Sequence, residues 1–530
     1  MSTPQAGRYP AGSSPEAATG WTLTRLTEPS RLFGANGLRT GADGRLYIAQ
    51  VTGSQISALD VTTGDIETIS AKGGDIIAPD DLAFGADGSL FATEVMDGRV
   101  SARDASGTTR VLRDDLPSAN GITVHQDRLF VNECREGGRL FEMDLAGGEP
   151  RLILADLPSP NAMEVGPDGL LYFPVMNANQ IWRVHPEGGE AEVVAGDLGV
   201  PDSVKFDADG SIVSTQVASG QVLRIDPRTG AQTVLATLTP GLDNCAFVDG
   251  RLFVSHFTGA ITEILGGGDT RALLPGGLNW PLDVTVGADG LLYIADGTYL
   301  YSLATDGTLQ TVGMLFSPGY PGFVRGLTPG GPGEFVVTTS GGQVARYRPA
   351  DNETDYLADG LDQLYGVTLL PDGTPVVVEQ GTGRVLAITG DGTEVLAAGL
   401  DTPVGVTTDA DGSVLVSVNA AVLRVTPSGT DTVVDGLLTP QGILVLDGLL
   451  YIVDAGSKAV ITVDLATGAR RTVAAGLPVG APPGVTVKPL RGMPPFSGPQ
   501  GPFAGIAAGP DGTLYVSADG EGSVYALRKW

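Results

Sequence analysis

One phrase, repeated down the chain, restricts the fold more than any other feature. GADGRLYIAQ at Gly41 returns as GADGSLFATE at Gly85, GPDGLLYFPV at Gly166, DADGSIVSTQ at Asp207, GADGLLYIAD at Gly287, LPDGTPVVVE at Leu370 and GPDGTLYVSA at Gly509. With weaker copies between them, the residues aligned with Tyr47 are Phe91, Phe130, Tyr172, Val213, Phe253, Tyr293, Val336, Val376, Leu415, Tyr451 and Tyr515. They mark twelve units of about forty residues. Within a unit, short alternating apolar segments between glycine turns predict four strands. Asp-Gly supplies the positive φ of a two-residue hairpin turn. So small a sheet cannot bury both faces alone, and the units are expected to stack radially as propeller blades.

A single ring of twelve blades would exceed the usual roughly four to eight. The expected fold is therefore all-β: two tandem six-bladed β-propellers with four antiparallel strands per blade, each ring closed by a strand from its own N-terminal end. The last unit stops at its third strand, GSVYALRK, and WTLTRL (Trp21 to Leu26) resembles an orphan fourth strand. On this scheme residues 1–20 are a flexible tail, 21–267 the first propeller and 268–530 the second. Trp21 to Leu26 completes the sixth blade, the glycines at 266–268 are the hinge, and TRALLP from Thr270 completes the twelfth. Closure removes exposed strand edges.

Charge narrows the partners. The chain carries 32 basic and 61 acidic side chains, a formal net charge of −29, which argues against nucleic acid and anionic membranes. A small-molecule substrate is the expected partner, with a protein partner left open. Hydrophobic residues at 42% allow a sizeable core despite 77 Gly and 36 Pro. Cys134 and Cys245 lack the number of a disulfide scaffold and the spacing of a zinc site. The first twenty residues hold no apolar run of the kind a secretory signal needs, so the expected location is cytoplasmic.

The first strand of a blade lines the central channel, so its mouth-side end is where ligands are expected. Aligned there, the first six units present Asn36, Asp80, Asn120, Asn161, Asp202 and Asp243, and the second six present Leu282, Arg325, Tyr365, Val404, Gln441 and Ala504. Asn and Asp are common turn residues, but six coincident positions in one ring and none in the other favour a polar crown. Converging carboxylates repel, and a bound cation relieves them. Hard oxygen donors suit Ca²⁺ first, with Mg²⁺ or Mn²⁺ as alternatives. A second tier at the end of the second strand reads Gln50, Glu94, Glu133, Val175, Gln216 and His256. Glu94, Glu133 and His256 are candidates for proton transfer; Gln50 and Gln216, with Asn36 and Asn120, are candidates for substrate binding.

The segments SANGITV, SPNAMEVGPDGLLYF and VPDSVKFDADG resemble repeats of the SMP-30/gluconolactonase-like and NHL-type propeller superfamily. In the lactonase family one divalent ion sits on the channel axis, held by a Glu of the first blade, an Asn of the fourth and an Asp of the fifth, with an Asn of the third near substrate. The resemblance thus implies Asn161 and Asp202 as metal ligands and Asn120 on the substrate side. Asn36 stands where the first-blade Glu is expected, and Asp80 or Asp243 could supply the lost charge. The activity implied is metal-dependent hydrolysis of a small lactone or cyclic ester, with Asp202 or a neighbouring Glu taking the proton from water.

Two other readings stand beside it. One is a lyase, cyclase or isomerase working by acid/base catalysis through Glu94, Glu133 and His256; the other is a non-catalytic scaffold for protein or carbohydrate. The second ring carries both long insertions, GMLFSPGYPGFVRG (Gly313 to Gly326) and a Pro/Gly-rich stretch before Ala504. With Trp280, Arg325, Tyr365, Glu379 and Asp454 it could hold an organic-acid site of its own. DADGS at Asp207 and Asp409 begins like an EF-hand loop but lacks the rest of the ligand pattern, and reads as a turn.

Overall fold

At the Asp-Gly phrases the chain reverses through a longer turn than the two residues expected. Leu38–Thr40 pairs antiparallel with Leu46–Gln50, and Thr40 faces Leu46, so residues 41–45 make the reversal. Asp43 Oδ1 accepts the Arg45 N–H, and Gly44 takes φ +76°, a conformation that L side chains rarely adopt. The same two features recur at Asp87-Gly88, Asp168-Gly169, Asp289-Gly290 and Asp511-Gly512. Asp207 likewise accepts the N–H groups of Asp209 and Ser211, so its carboxylate is occupied by its own turn.

The computed structural model describes residues 8–9 and 14–530. Among them the strands form twelve antiparallel sheets of four strands, one with a fifth added, consistent with propeller blades. Among the described residues helix is limited to two short 3-10 turns, Met176–Ala178 and Pro349–Asp351, and no helix is long and apolar enough to cross a membrane. The chain divides into two compact units. The first holds Leu32–Gly276 with Thr486–Pro494; the second holds Gly277–Val485 and Pro495–Trp530 with the N-terminal segment up to Arg31.

Numbered along the chain, sheets 1 to 6 belong to the first unit and sheets 7 to 12 to the second. In the first unit the core lies between neighbouring sheets. Phe91 and Val100 of sheet 2 pack on Ile122 and Leu129 of sheet 3, and Leu38, Leu46 and Ile48 of sheet 1 pack on Phe253 and Ile261 of sheet 6. Leu38–Thr40 of sheet 1 touches Leu242–Val248 of sheet 6. In the second unit Val284–Val286 of sheet 7 touches Ile506–Ala508 of sheet 12, and the first strands of all six sheets line one cavity of about 280 Å³.

A repeated side-chain bond holds the mouth of each unit. Thr93 donates its hydroxyl to the carbonyl of Asn120, Asn132 its amide to that of Asn161, Thr215 to Asp243 and Ser255 to Asn36. In the second unit Thr338 reaches Tyr365, Ser417 reaches Gln441 and Ser517 reaches Leu282. Each donor stands near the end of a second strand and fixes the crown residue of the following sheet. Glycine beside the crown admits this approach: a Cβ on Gly121 would collide with the carbonyl of Asn161.

The order of strands corrects the expected closure. Ile261–Gly266 pairs with Asp269–Leu274, so sheet 6 is complete from its own chain and the glycines at 266–268 are a hairpin turn, not a hinge. Such a short loop costs little closure entropy. The open edge belongs to Ser523–Lys529 of sheet 12, and Trp21–Arg25 fills it in register from Trp21 opposite Lys529 to Arg25 opposite Tyr525. Sheet 6 is therefore complete without an N-terminal strand, and sheet 12 is completed by a strand from the N-terminal segment. The flexible-tail reading is also overturned where the chain is described. Glu16–Ala17 adds the fifth strand to sheet 11, and Arg8, buried, donates to the carbonyl of Asp519. Residues 1–7 and 10–13 of that segment lie outside the described residues.

Candidate functional site

The six crown residues are not splayed into solvent. Asn120, Asn161, Asp202 and Asp243 are buried, Asn36 and Asp80 half-buried. They pair across sheet boundaries, each aspartate with an asparagine. Asn36 Nδ2 donates to Asp243 Oδ2 at 2.9 Å, Asn161 Nδ2 donates to Asp202 Oδ2 at 3.1 Å, and Asn120 hydrogen-bonds Asp80. Burial pushes the three carboxyl groups up, Asp80 to about 7 and Asp202 and Asp243 well above the usual carboxylate range; repulsion adds to it, from Asp81 on Asp80, from Asp80 on Asp202, and from Asp202 and Asp80 on Asp243. Among the described residues no basic side chain offsets any of the three.

Below the crown lies a charged layer that the alignment of crown positions passes over. Three residues further along the first strands stand Arg39, Glu164 and Lys205, from sheets 1, 4 and 5. Arg39 Nη1 donates to Glu164 Oε2 at 2.6 Å, and Lys205 Nζ lies 3.4 Å from the same oxygen. Arg39 also donates to the carbonyls of Leu82 and Ile122. Asp81, buried next to the crown, accepts the Leu82 and Ile122 N–H groups. Burial raises its carboxyl, while Arg39 and Lys205 draw it back. Asp81 also adds to the repulsion felt by Asp80, Asp202 and Asp243, so it couples the two layers electrostatically. The register positions that hold Arg39, Glu164 and Lys205 in the first unit hold Thr285, Thr328, Thr368 and Thr407 in the second. Comparing the two rings at this register would have exposed the charged layer from sequence.

The second tier is used to hold loops. Gln50 Oε1 accepts the Phe33 N–H, Glu94 the Ile77 N–H and Gln216 the Gly199 N–H. Gln50 Nε2 donates to Ser57 and Gln216 Nε2 to Ser214. Glu94 also pairs with Arg99 and Ser101, and Glu133 with Arg135 and Arg139. His256 bonds Thr239, Pro240 O and Thr258, and burial lowers it to about 4. Glu94, Glu133 and His256, expected to transfer protons, and Gln50 and Gln216, expected to contact substrate, make these bonds to the turn that leads into their own first strand, to their own or the adjacent strand, or to the turn between the two, and none of the bonds reaches a crown residue. Asp296, Glu379 and Asp454 do the same in the second unit, which shows a device of the blade and not of one site.

The crown was tested as a seat for a divalent cation. Its donors are all oxygen, three carboxylates lack a basic partner, and Asn120 Oδ1 is buried without a hydrogen-bond partner. That chemistry suits a hard cation. Among the described residues, however, no three acidic, histidine or cysteine groups come together closely enough to hold one metal ion. The pair implied by the resemblance meets, but Asn161 turns its Nδ2 to Asp202 and commits Oδ1 to the Ala162 N–H. An ion here would draw on carboxylates with Asn120 Oδ1 and water.

With the geometry in place, comparison with known proteins becomes informative. Residues 16–257 match the family model described as SMP-30/Gluconolactonase/LRE-like region. All eleven candidate residues fall inside this region. Solved structures similar to the chain include a streptogramin B lyase (19% identity, 53% of this chain and 96% of that one, TM-score 0.39). A gluconolactonase, XC5397, from Xanthomonas campestris is 17% identical over 46% of this chain and 88% of that one, TM-score 0.38. A nidogen/laminin complex is 19% identical over 38% and 78%, TM-score 0.35. No curated protein matches. The matched residues are thus the part of the chain that carries the crown.

Proposed function

We propose that each unit is a six-bladed β-propeller and that the crown of the first is the site of a lactonase-like hydrolase acting on a small lactone or cyclic ester. The observation that carries this reading is the trio Asp80, Asp202 and Asp243: three carboxylates with no basic partner, each steadied by an asparagine of a neighbouring sheet. Buried charge of one sign persists only where a proton or a cation relieves it. A divalent cation, Ca²⁺ before Mg²⁺ or Mn²⁺, would be held by no more than two of those carboxylates with Asn120 Oδ1 and water, and would supply Lewis-acid polarisation of an ester carbonyl.

The chain's own groups do the rest. Asp202, kept basic when a cation relieves the repulsion, accepts the proton of the attacking water. Asn120 stands on the substrate side, and Asn36 and Asn161 fix the carboxylates that face the substrate. Arg39, Glu164 and Lys205 close the floor with a charged layer. The test is calorimetric titration of chelator-treated protein with Ca²⁺, Mg²⁺ and Mn²⁺, followed by a lactone panel. Full hydrolysis without any divalent ion would overturn the metal, and no turnover of any lactone would overturn the reaction.

One observation favours a second reading, an acid/base lyase, cyclase or isomerase. Asp80 is lifted to about 7, where a carboxyl can both give and take a proton near neutral pH. Activity on a non-ester substrate that persists in chelator and disappears in Asp80→Asn would select it.

A further inference from the structure

The crown of the second unit holds a charge of the opposite sign. Arg325 is fully buried, and among the described residues no carboxylate stands within ion-pair distance of it. Its guanidinium carbon lies 3.7 Å from the centre of the Tyr365 ring. Besides a side-chain hydrogen bond with Tyr365, its hydrogen bonds go to one short strap, residues 495–503: Nη2 donates to Gly501 O at 2.7 Å, and Nη1 reaches Pro499 O and Gln500 Oε1 at 3.4 Å. Nε is buried without a partner. Three sheets further round the same crown, Gln441 is buried and its Oε1 also lacks a partner.

The strap is fastened lightly. Gly498 N and Gln500 Nε2 donate to Ser340 Oγ at 3.2 and 3.0 Å, Phe496 meets Phe316, and Phe503 meets Tyr365 edge-on. Phe316 belongs to the other long insertion, so both insertions meet over the same mouth. An arginine cannot readily shed its charge, and neutral carbonyls answer a buried guanidinium less well than an anion does. The Nε–Nη2 edge is the one that grips a carboxylate with two parallel bonds. At present one half of that edge is taken by the Gly501 carbonyl and the other half by nothing.

We propose that this mouth is a second binding site, for a small hydroxycarboxylate, which takes the Nε–Nη2 edge of Arg325 and offers a hydroxyl to Gln441 Oε1 when the strap 495–503 lifts. The strap carbonyls hold the place of the carboxylate oxygens when no ligand is bound. A ring-opened lactone belongs to this chemical class, but the proposal rests only on Arg325, Gln441 and the strap.

The test is calorimetric titration of the full chain at neutral pH with gluconate, with propionate and inorganic phosphate as comparators. Gluconate is expected to bind, propionate about tenfold more weakly, and ligand is expected to speed chymotryptic cleavage at Phe496. Arg325→Gln should abolish binding and Arg325→Lys should weaken it about tenfold, because lysine lacks the fork. Should the arginine variants fail to fold, Gln441→Leu keeps the guanidinium and should reduce gluconate to the level of propionate. The proposal is overturned by no heat with wild-type protein up to about 10 mM gluconate. It is equally overturned by phosphate binding better than any carboxylate, or by unchanged affinity in the Arg325 or Gln441 variants.

Discussion

Asn36 donates its side-chain amide to Asp243 at 2.9 Å across 207 residues of sequence, so the first and sixth sheets of the first unit meet inside the candidate site. Contact between these two sheets and assembly of the crown are one event. Whatever separates these sheets also removes a partner from one of three carboxylates that have no basic residue to lean on.

Asn36 is also the position where the SMP-30/gluconolactonase-like resemblance implies a glutamate. If the crown seats a divalent cation, Asn36→Glu adds a fourth carboxylate and should raise Ca²⁺ affinity about tenfold, since affinity in oxygen sites follows ligand charge. Asp202→Asn should lower it by a similar factor. Titration calorimetry decides the point: a Glu variant that binds more weakly than wild type would argue against a cation site.

In the absence of a divalent ion the crown should make stability depend on pH. The carboxyl of Asp80 is raised from its ordinary value to about 7, so the folded chain binds its proton more tightly than the unfolded chain does. Its contribution is fully present below about pH 4 and fades as pH rises through about 7, at no more than about 1.4 kcal/mol per pH unit. Urea denaturation across this window should show stability falling toward neutral pH. Asp80→Asn should flatten the slope, and saturating Ca²⁺ should flatten it too if the ion keeps the carboxylates charged.

Removing residues 1–26 should loosen the second unit and leave the first intact. Trp21 packs edge-on against Tyr451, and Leu23 joins the core between sheets 11 and 12. Losing those two side chains and a strand should cost about 4 kcal/mol. Hydrogen exchange would locate the effect: amides in Leu449–Asp454 and Ser523–Lys529 should exchange faster, while those in Leu242–Val248 stay protected. Faster exchange in the first unit alone would contradict the strand order.

Glu94 should matter for folding and not for ligand. It is fully buried against Arg99, Ser101 and the Ile77 N–H. Glu94→Ala leaves an arginine and a loop amide without their partner and should cost about 3 kcal/mol. Cation affinity of the folded fraction should stay within about twofold, because no crown residue bonds Glu94. A tenfold loss of affinity at unchanged stability would return Glu94 to the site.

Much of this was readable in the residues. The phrase around Asp43-Gly44 gave the period, the four strands and the turn, because its chemistry is local: a carboxylate bonding an N–H two residues on and a glycine at positive φ. The crown was readable because it repeats at a fixed offset. Strand exchange was not. Trp21–Arg25 and Asp269–Leu274 are both short alternating segments, and which edge each fills depends on pairings hundreds of residues apart. Nor does period-two alternation say whether a strand's last residue turns into the channel or back to its own loop, which is why Glu94, Glu133 and His256 read as catalytic. Arg39, Glu164 and Lys205 were missed because only one register position was compared between rings.

Trp21–Arg25 pairs with the last strand of the chain. On the ribosome, therefore, the six sheets of the first unit can form while sheet 12 still waits for Ser523–Lys529 to emerge. Until then Trp21–Arg25 has no sheet to join, and its apolar face must be kept from wrong partners until those seven residues arrive.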